Sequence, residues 1–186
     1  MSFLRNLTLV PALGLLSLGA PALRADGVDL GMKLTGSIPE GDLAANTYLN
    51  NKVGYGGGLH LAISVPGGKL VPRVDYTSYQ NNDNGQAKAQ MLQAGVDYDF
   101  YFSPGRTTGP YLGVGAGWGS TKFQQTTPQF NDTPNNIFYG GQLGCMFTRH
   151  IGTELRYTYA EYKTHFSGPV PDWTAPTLNL SLILQF

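Results

Sequence analysis

Beyond residue 26 the chain repeats one pattern, in which apolar side chains occupy every second position. Eight such segments follow one another, at residues 28–35, 53–64, 70–77, 92–102, 112–119, 137–147, 151–159 and 178–186. A period of two sorts side chains between the two faces of a β-strand, whereas a helix repeats about every 3.6 residues. Most segments match the ~9–11 residues that a tilted strand needs to cross a bilayer. No run of about 18 apolar residues occurs there, so no helical span is predicted.

The connections between these segments alternate in length. Short ones lie at residues 66–68, 103–109 and 148–150, and longer polar ones at residues 37–51, 78–87, 120–135 and 160–175. Short periplasmic turns alternating with longer extracellular loops are typical of an outer-membrane barrel. The sequence therefore predicts an all-β fold, an eight-stranded antiparallel up-and-down transmembrane β-barrel. Pro72 cannot donate a ladder hydrogen bond, so we expect it at the low end of the third strand or at a bulge.

Aromatic residues of the apolar face form two groups at different heights. Those near the short connections are Phe100, Phe102, Phe147 and Phe186, and those near the long connections are Tyr55, Tyr76, Trp118, Tyr139 and Tyr159. Amphipathic rings collect at both lipid–water boundaries, so these groups predict two girdles around an aliphatic band.

The opposite face of the strands carries the ionisable residues. They are Asp29, Lys33, His60, Arg73, Asp75, Asp97, Asp99, Glu154 and Arg156. An eight-stranded barrel is just wide enough for side chains to fill its interior, where charges must pair or form hydrogen bonds. We predict a charge network in the lumen with Arg73 and Arg156 as hubs, because a guanidinium group can bind two carboxylates. The sequence leaves open whether this network only fills the barrel or also gates a narrow path.

The charge content fits this arrangement. The 12 basic and 12 acidic residues make up 13% of the chain and cancel, which argues against a basic nucleic-acid-binding face. With 41% hydrophobic residues the chain can also bury enough surface to fold. The predicted lipid-facing positions carry almost no charge, and Lys88 is the exception.

Residues 1–25 have the features of an export signal. Arg5 precedes an apolar stretch at residues 7–18, which is too short for the ~20 residues of a membrane helix. Small residues place cleavage after Ala22 or Ala25, which leaves residues 26–186 as one barrel domain. Cys145 is the single cysteine, so no disulfide can form within the chain.

Three motifs resemble a known family. They are the Gly-rich segment at residues 110–117, the Gly-Thr-Glu-Leu-Arg-Tyr segment at residues 152–157 and the closing strand at residues 178–186. The chain resembles the small eight-stranded outer-membrane barrels, namely the OmpA-like transmembrane domain and its OmpX- and Opa-like relatives. The resemblance implies a place in the outer membrane among lipid and lipopolysaccharide. It also implies that Phe186 is the signal read by the barrel-assembly machinery.

A structural or surface-interaction role follows, without catalysis, cofactor or metal ion, and with an extracellular ligand possible at the loops. A lipid A-modifying hydrolase is one competing hypothesis, since some similar barrels are deacylases with a His-x-Ser pair and an acidic partner. Here His165 and Ser167 have that spacing, but Gly168 follows where those enzymes have Asn, and no carboxylate follows Asp172. Two further hypotheses are a narrow low-conductance pore and a soluble lipocalin-like binder. The lipocalin-like binder requires apolar residues inside and charges outside.

Overall fold

The computed structural model describes residues 27–44, 49, 52–81, 87–102, 108–125, 130–162 and 173–186. The predicted signal segment, with both cleavage positions, lies outside these residues. Within the described part of the chain, no helix is both long and apolar enough to cross a membrane.

Eight long strands account for most of the described residues. They are β1 (Val28–Pro39), β2 (Gly54–Val65), β3 (Gly68–Asn81), β4 (Ala87–Tyr101), β5 (Gly109–Gln125), β7 (Asn135–Met146), β8 (Ile151–Tyr162) and β10 (Thr177–Gln185). Two short strands, β6 (Phe130–Asp132) and β9 (Trp173–Thr174), pair with the loop ends of β5 and β8, respectively. A 3-10 helix spans Gly41–Ala44.

The long strands form one closed antiparallel barrel. Each pairs with the long strands before and after it, and β10 pairs with both β8 and β1. The closing seam runs from Gly31 opposite Gln185 to Pro39 opposite Thr177. The predicted eight-stranded up-and-down barrel is therefore confirmed.

Several strands run further toward the long-loop end than the sequence predicted. β1 continues to Pro39, β3 to Asn81, β5 to Gln125 and β8 to Tyr162. The β3–β4 connection shrinks to residues 82–86 as a result. Beyond the girdle the outward positions become polar, as at Gln80 and Lys122, while inward positions such as Phe123 are buried and apolar. The outward apolar pattern used for the prediction therefore ends there. The backbone ladder continues, because its hydrogen bonds do not depend on side-chain polarity.

The two faces of the barrel wall differ as predicted. Val114 on the outer face is 63% exposed, whereas Glu154 on the inner face is 2% exposed. Polar groups inside and apolar groups outside are the reverse of the lipocalin-like arrangement.

Pro72 is the fifth residue of β3, counted from the short turn. It pairs with Val96 of β4, but the pairing of β3 with β2 is interrupted between His60–Arg73 and Ile63–Leu70. The register is the same on both sides of the gap, so no residue is inserted and there is no bulge. The pairing with β2 is therefore missing at the position where Pro72 has no N–H group to donate.

Candidate functional site

Asp97 lies at the centre of the charged interior and is 1% exposed. It accepts hydrogen bonds from Arg156 Nη1 at 3.1 Å and Nη2 at 2.5 Å, and from Arg73 Nε at 2.9 Å. Each arginine also contacts a second carboxylate, which is Asp75 for Arg73 and Glu154 for Arg156. The neighbouring strands β3 and β4 and the more distant β8 thereby meet at one carboxylate.

Glu154 forms the second centre of this network. It accepts hydrogen bonds from Lys33 Nζ at 2.8 Å, Tyr111 OH at 2.8 Å and Arg156 Nε at 3.1 Å. Because Lys33 belongs to β1 and Tyr111 to β5, this single carboxylate ties together opposite parts of the wall.

A second polar group lies nearer the short turns. Lys69 Nζ is 3.5 Å from Asp29, and Gln185 Nε2 donates to the same carboxylate at 2.7 Å. Lys69 also lies over the ring of Tyr101, 5.4 Å from its centroid. These contacts tie the start of β1 to the end of β10.

Asp99 and His60 have fewer partners than the other predicted lumen residues. Asp99 accepts a hydrogen bond from Gln142 Nε2 at 2.5 Å. His60 is 5% exposed and lies against Gly31, and its Nδ1 has no hydrogen-bond partner among the described residues. Both line a cavity of about 20 Å³ that also contacts Lys33 and Glu154 and is large enough for about one water molecule.

Several lumen residues were not predicted from the sequence. Lys69 precedes the first apolar residue of the third predicted strand, although its parity matches that of Arg73 and Asp75. Tyr111, Gln142 and Gln185 carry no charge, so the prediction of a charge network did not include them. Extending the alternation by one residue, and treating uncharged polar groups as network members, would have found them.

The glycines of β5 give the network its space. A Cβ atom on Gly113 would overlap the Asp99 carboxylate, and one on Gly115 would overlap the Asp97 carboxylate. Strand β5 therefore holds acidic side chains of β4 against bare backbone, which gives its glycines a packing role.

An apolar cluster, which the alternation did not predict, fills the interior at the loop end. Its buried residues are Leu43, Leu49, Tyr79, Ala87, Ala89, Met91, Phe123, Phe138, Ala160 and Ala175. Leu43 and Leu49 come from the β1–β2 connection and are fully buried. A loop contribution of this kind has no period-two signal. The barrel interior thus has an ionic middle beneath an apolar cap.

The β1–β2 connection is held by a second contact at the barrel mouth. Asp42 accepts hydrogen bonds from Thr174 N at 2.8 Å and Thr174 Oγ1 at 3.0 Å, and Glu40 N donates to Pro176 O at 2.8 Å. These bonds fix the 3-10 helix against the segment that leads into β10.

The predicted girdle residues lie on outward positions. Tyr55, Trp118, Tyr139, Phe102 and Phe147 are more than half exposed. The rings of Tyr139 and Tyr159 lie 5.3 Å apart, and Phe100 and Phe102 form an edge contact at 5.4 Å. Phe186 also faces outward, and its N–H donates to Leu30 O at 2.8 Å.

Within the described ranges, no group of three His, Cys, Asp or Glu residues is placed to hold a metal ion. His165 and Ser167, the pair considered for a hydrolase, lie outside the described residues.

A second interior cavity lies above the network. It has a volume of about 30 Å³ and is lined by Lys33, Asp75 and Arg156 among others.

Comparison with known proteins identifies the relatives of this barrel. A family model described as the outer membrane protein beta-barrel domain matches residues 8–186. No curated protein matched the chain. Solved structures that share the fold include the following three. Neisserial surface protein A (NspA) has a TM-score of 0.54 and 17% identity over 86% of this chain and 97% of its own. The N-terminal barrel domain of Pseudomonas aeruginosa OprF has a TM-score of 0.54 and 15% identity over 83% and 97%. Ail of Yersinia pestis, in complex with the heparin analogue sucrose octasulfate, has a TM-score of 0.52 and 15% identity over 86% and 97%.

Proposed function

The chain belongs to the outer membrane protein beta-barrel family, and from that premise we propose that it is a closed barrel that displays its loop end for contacts outside the cell. Its place is the cell outer membrane of a Gram-negative bacterium. We further propose that residues 1–25 are removed on export, after Ala22 or Ala25.

The filled interior is the observation that carries this proposal. Among the described residues, the ionic layer around Asp97 and Glu154 and the apolar cap above it border interior cavities of about 20 and 30 Å³. Such cavities hold one or two water molecules and no larger solute. Cavities of this size have no room for a substrate or for a continuous path of hydrated ions, which favours the loop end as the functional surface.

The composition of the loop end indicates the kind of partner. The segments that join β1 to β2, β3 to β4, β5 to β7 and β8 to β10 contain acidic Glu40, Asp42, Asp83, Asp132 and Asp172 against basic Lys52 and Lys163. A sulfated polyanion such as the ligand of Ail therefore finds little complementary charge on the loops themselves. Asn, Gln and Thr are the most frequent uncharged polar residues of these segments, and they favour an uncharged, hydrogen-bonding partner such as a glycan or a polypeptide.

We expect the loop end to be accessible from outside intact cells. In a Cys145→Ala background, Glu40→Cys should react with a maleimide attached to a polyethylene glycol too large to cross the outer membrane. Arg149→Cys, at the opposite end of the barrel, should react only after lysis, since both Glu40 and Arg149 are exposed in the fold. The reverse labelling pattern would exclude surface display.

In the same assay Phe186→Ala should lower the labelled amount if the terminal ring directs barrel assembly, while refolding in detergent stays unchanged.

We also expect the barrel to be electrically silent. In planar bilayers the wild-type chain and Arg156→Ala should give the same baseline current, because the apolar cap closes the mouth independently of the arginine. A unitary conductance that rises in Arg156→Ala would support the pore hypothesis.

The lipid A hydrolase hypothesis is tested separately by mass spectrometry of lipid A from cells with and without the chain.

A further inference from the structure

The outer wall of the barrel carries two lysines on neighbouring strands. Among outward positions of strands whose side chains are described, three are charged: Lys88 on β4, Lys122 on β5 and Glu161 on β8. The apolar pattern predicted a loop at Lys122, but β5 continues past it. The described outer face therefore carries few charges, and its two lysines lie on adjacent strands.

The strand register brings the two lysines together. Lys88 is paired with Gln124 and Gln90 with Lys122, so the lysines are diagonal neighbours on one face. We name these four residues the lysine patch. Gln90 Nε2 donates to Tyr76 OH at 2.5 Å, which directs the polar groups of the patch along the wall.

The height of the patch corresponds to lipid headgroups. Trp118, a girdle residue, precedes Lys122 on β5 by four positions. At ~3.3 Å per residue and a tilt of ~40°, Lys122 stands roughly 10 Å beyond that ring, toward the loop end. Aromatic belts lie at the level of the lipid headgroups, and the long lysine side chains can bend back from the patch toward that level.

An apolar groove of about 570 Å³ lies nearer the short turns than the patch and crosses the wall from β1 to β5. Ala94 and Ala116 leave space in the wall between Val74, Val96 and Leu59. Its lining is nearly all apolar and faces the hydrocarbon core. A cationic headgroup site above an apolar groove matches the layout of one lipid molecule.

We propose that the lysine patch binds the phosphate of an anionic outer-leaflet lipid whose acyl chain lies in this groove. The ammonium groups pair with the phosphate oxygens, and the glutamine amides donate further hydrogen bonds. This inference rests on the proposed orientation, in which the loop end faces outward.

The test measures lipid binding to the purified full chain in dodecyl maltoside by native mass spectrometry, with diphosphoryl lipid A as the probe. K88Q/K122Q should weaken binding about 30-fold, given the effect of each cation near an anionic lipid. K52Q/R149Q removes the same two positive charges elsewhere and should bind as the wild type does. Ala94→Phe, which fills the groove, should also weaken binding, and higher salt should weaken it in the wild type. Heat-dependent mobility on SDS gels verifies that every variant is folded.

Three results would overturn the inference. One is equal affinity of K88Q/K122Q and the wild type. Another is equal binding of lipid A whose phosphates have been removed, or of phosphatidylcholine, which would leave only apolar adhesion. The third is inorganic phosphate that binds as tightly as the lipid, which would make the patch an ion site. Because the labelling of Glu40→Cys is independent of lipid, it tells failure of this inference apart from failure of surface display.

Discussion

Asp97→Ala is expected to destabilise the folded barrel by about 3–5 kcal/mol, because it removes one partner of a buried ionic network. Arg73 and Arg156 both donate to this carboxylate, and their side chains are 2% and 8% exposed. Without Asp97, two guanidinium groups keep their burial and lose their shared counter-charge. Urea unfolding in phosphatidylcholine vesicles, followed by tryptophan fluorescence, measures the change in the free energy of unfolding.

Asp75→Ala is the matched control. Asp75 contacts Arg73 as well, but its side chain is 21% exposed, and Arg73 keeps its bond to Asp97. We expect a loss of about 1 kcal/mol, the ordinary value of one partly solvated interaction. Equal effects of the two substitutions would show that Asp97 is not the centre of the network. A change below about 1 kcal/mol for Asp97→Ala would mean that water compensates both arginines.

The architecture was predictable because one physical constraint governs almost every residue of the wall. A strand between lipid and a narrow lumen must alternate, and alternation over eight segments admits few folds. The same alternation assigned Arg73, Asp97, Glu154 and Arg156 to the interior. It could not assign hydrogen-bond partners, because these depend on the register and on which strands face each other across the lumen.

The unpredicted features share a different origin. Leu43 and Leu49 reach the interior from a connection, where no periodic signal exists. Phe138 is an aromatic residue on an inward position, where the alternation predicts polar or small side chains. Lys122 fell beyond the point where the apolar pattern ends, although the backbone ladder continues. In each case the structure was set by backbone pairing or loop packing, for which hydrophobic periodicity carries little information.

The packing of the Phe138 ring against two glycines of the wall can be tested by substitution. Gly95 and Gly117 are directly paired across β4 and β5, and the Phe138 ring lies against both. The guanidinium carbon of Arg73 is 5.1 Å from the centroid of the same ring. The glycine pair therefore seats the ring that separates the ionic layer from the apolar cap.

Gly117→Val is expected to destabilise the barrel by about 3 kcal/mol, since overpacking forces the wall to shift. A Cβ atom at this position would overlap the carbonyl oxygen of Ala94 and lie 2.6 Å from the Gly95 Cα. Gly141→Val on β7 is the control, because its nearest neighbour to a new Cβ is the Gly113 oxygen at 3.7 Å. That change should stay within about 0.5 kcal/mol of the wild type in the same urea assay. Phe138→Ala should not rescue Gly117→Val, because the overlap is with backbone and not only with the ring. Full rescue would show instead that the glycine pair serves the aromatic side chain alone.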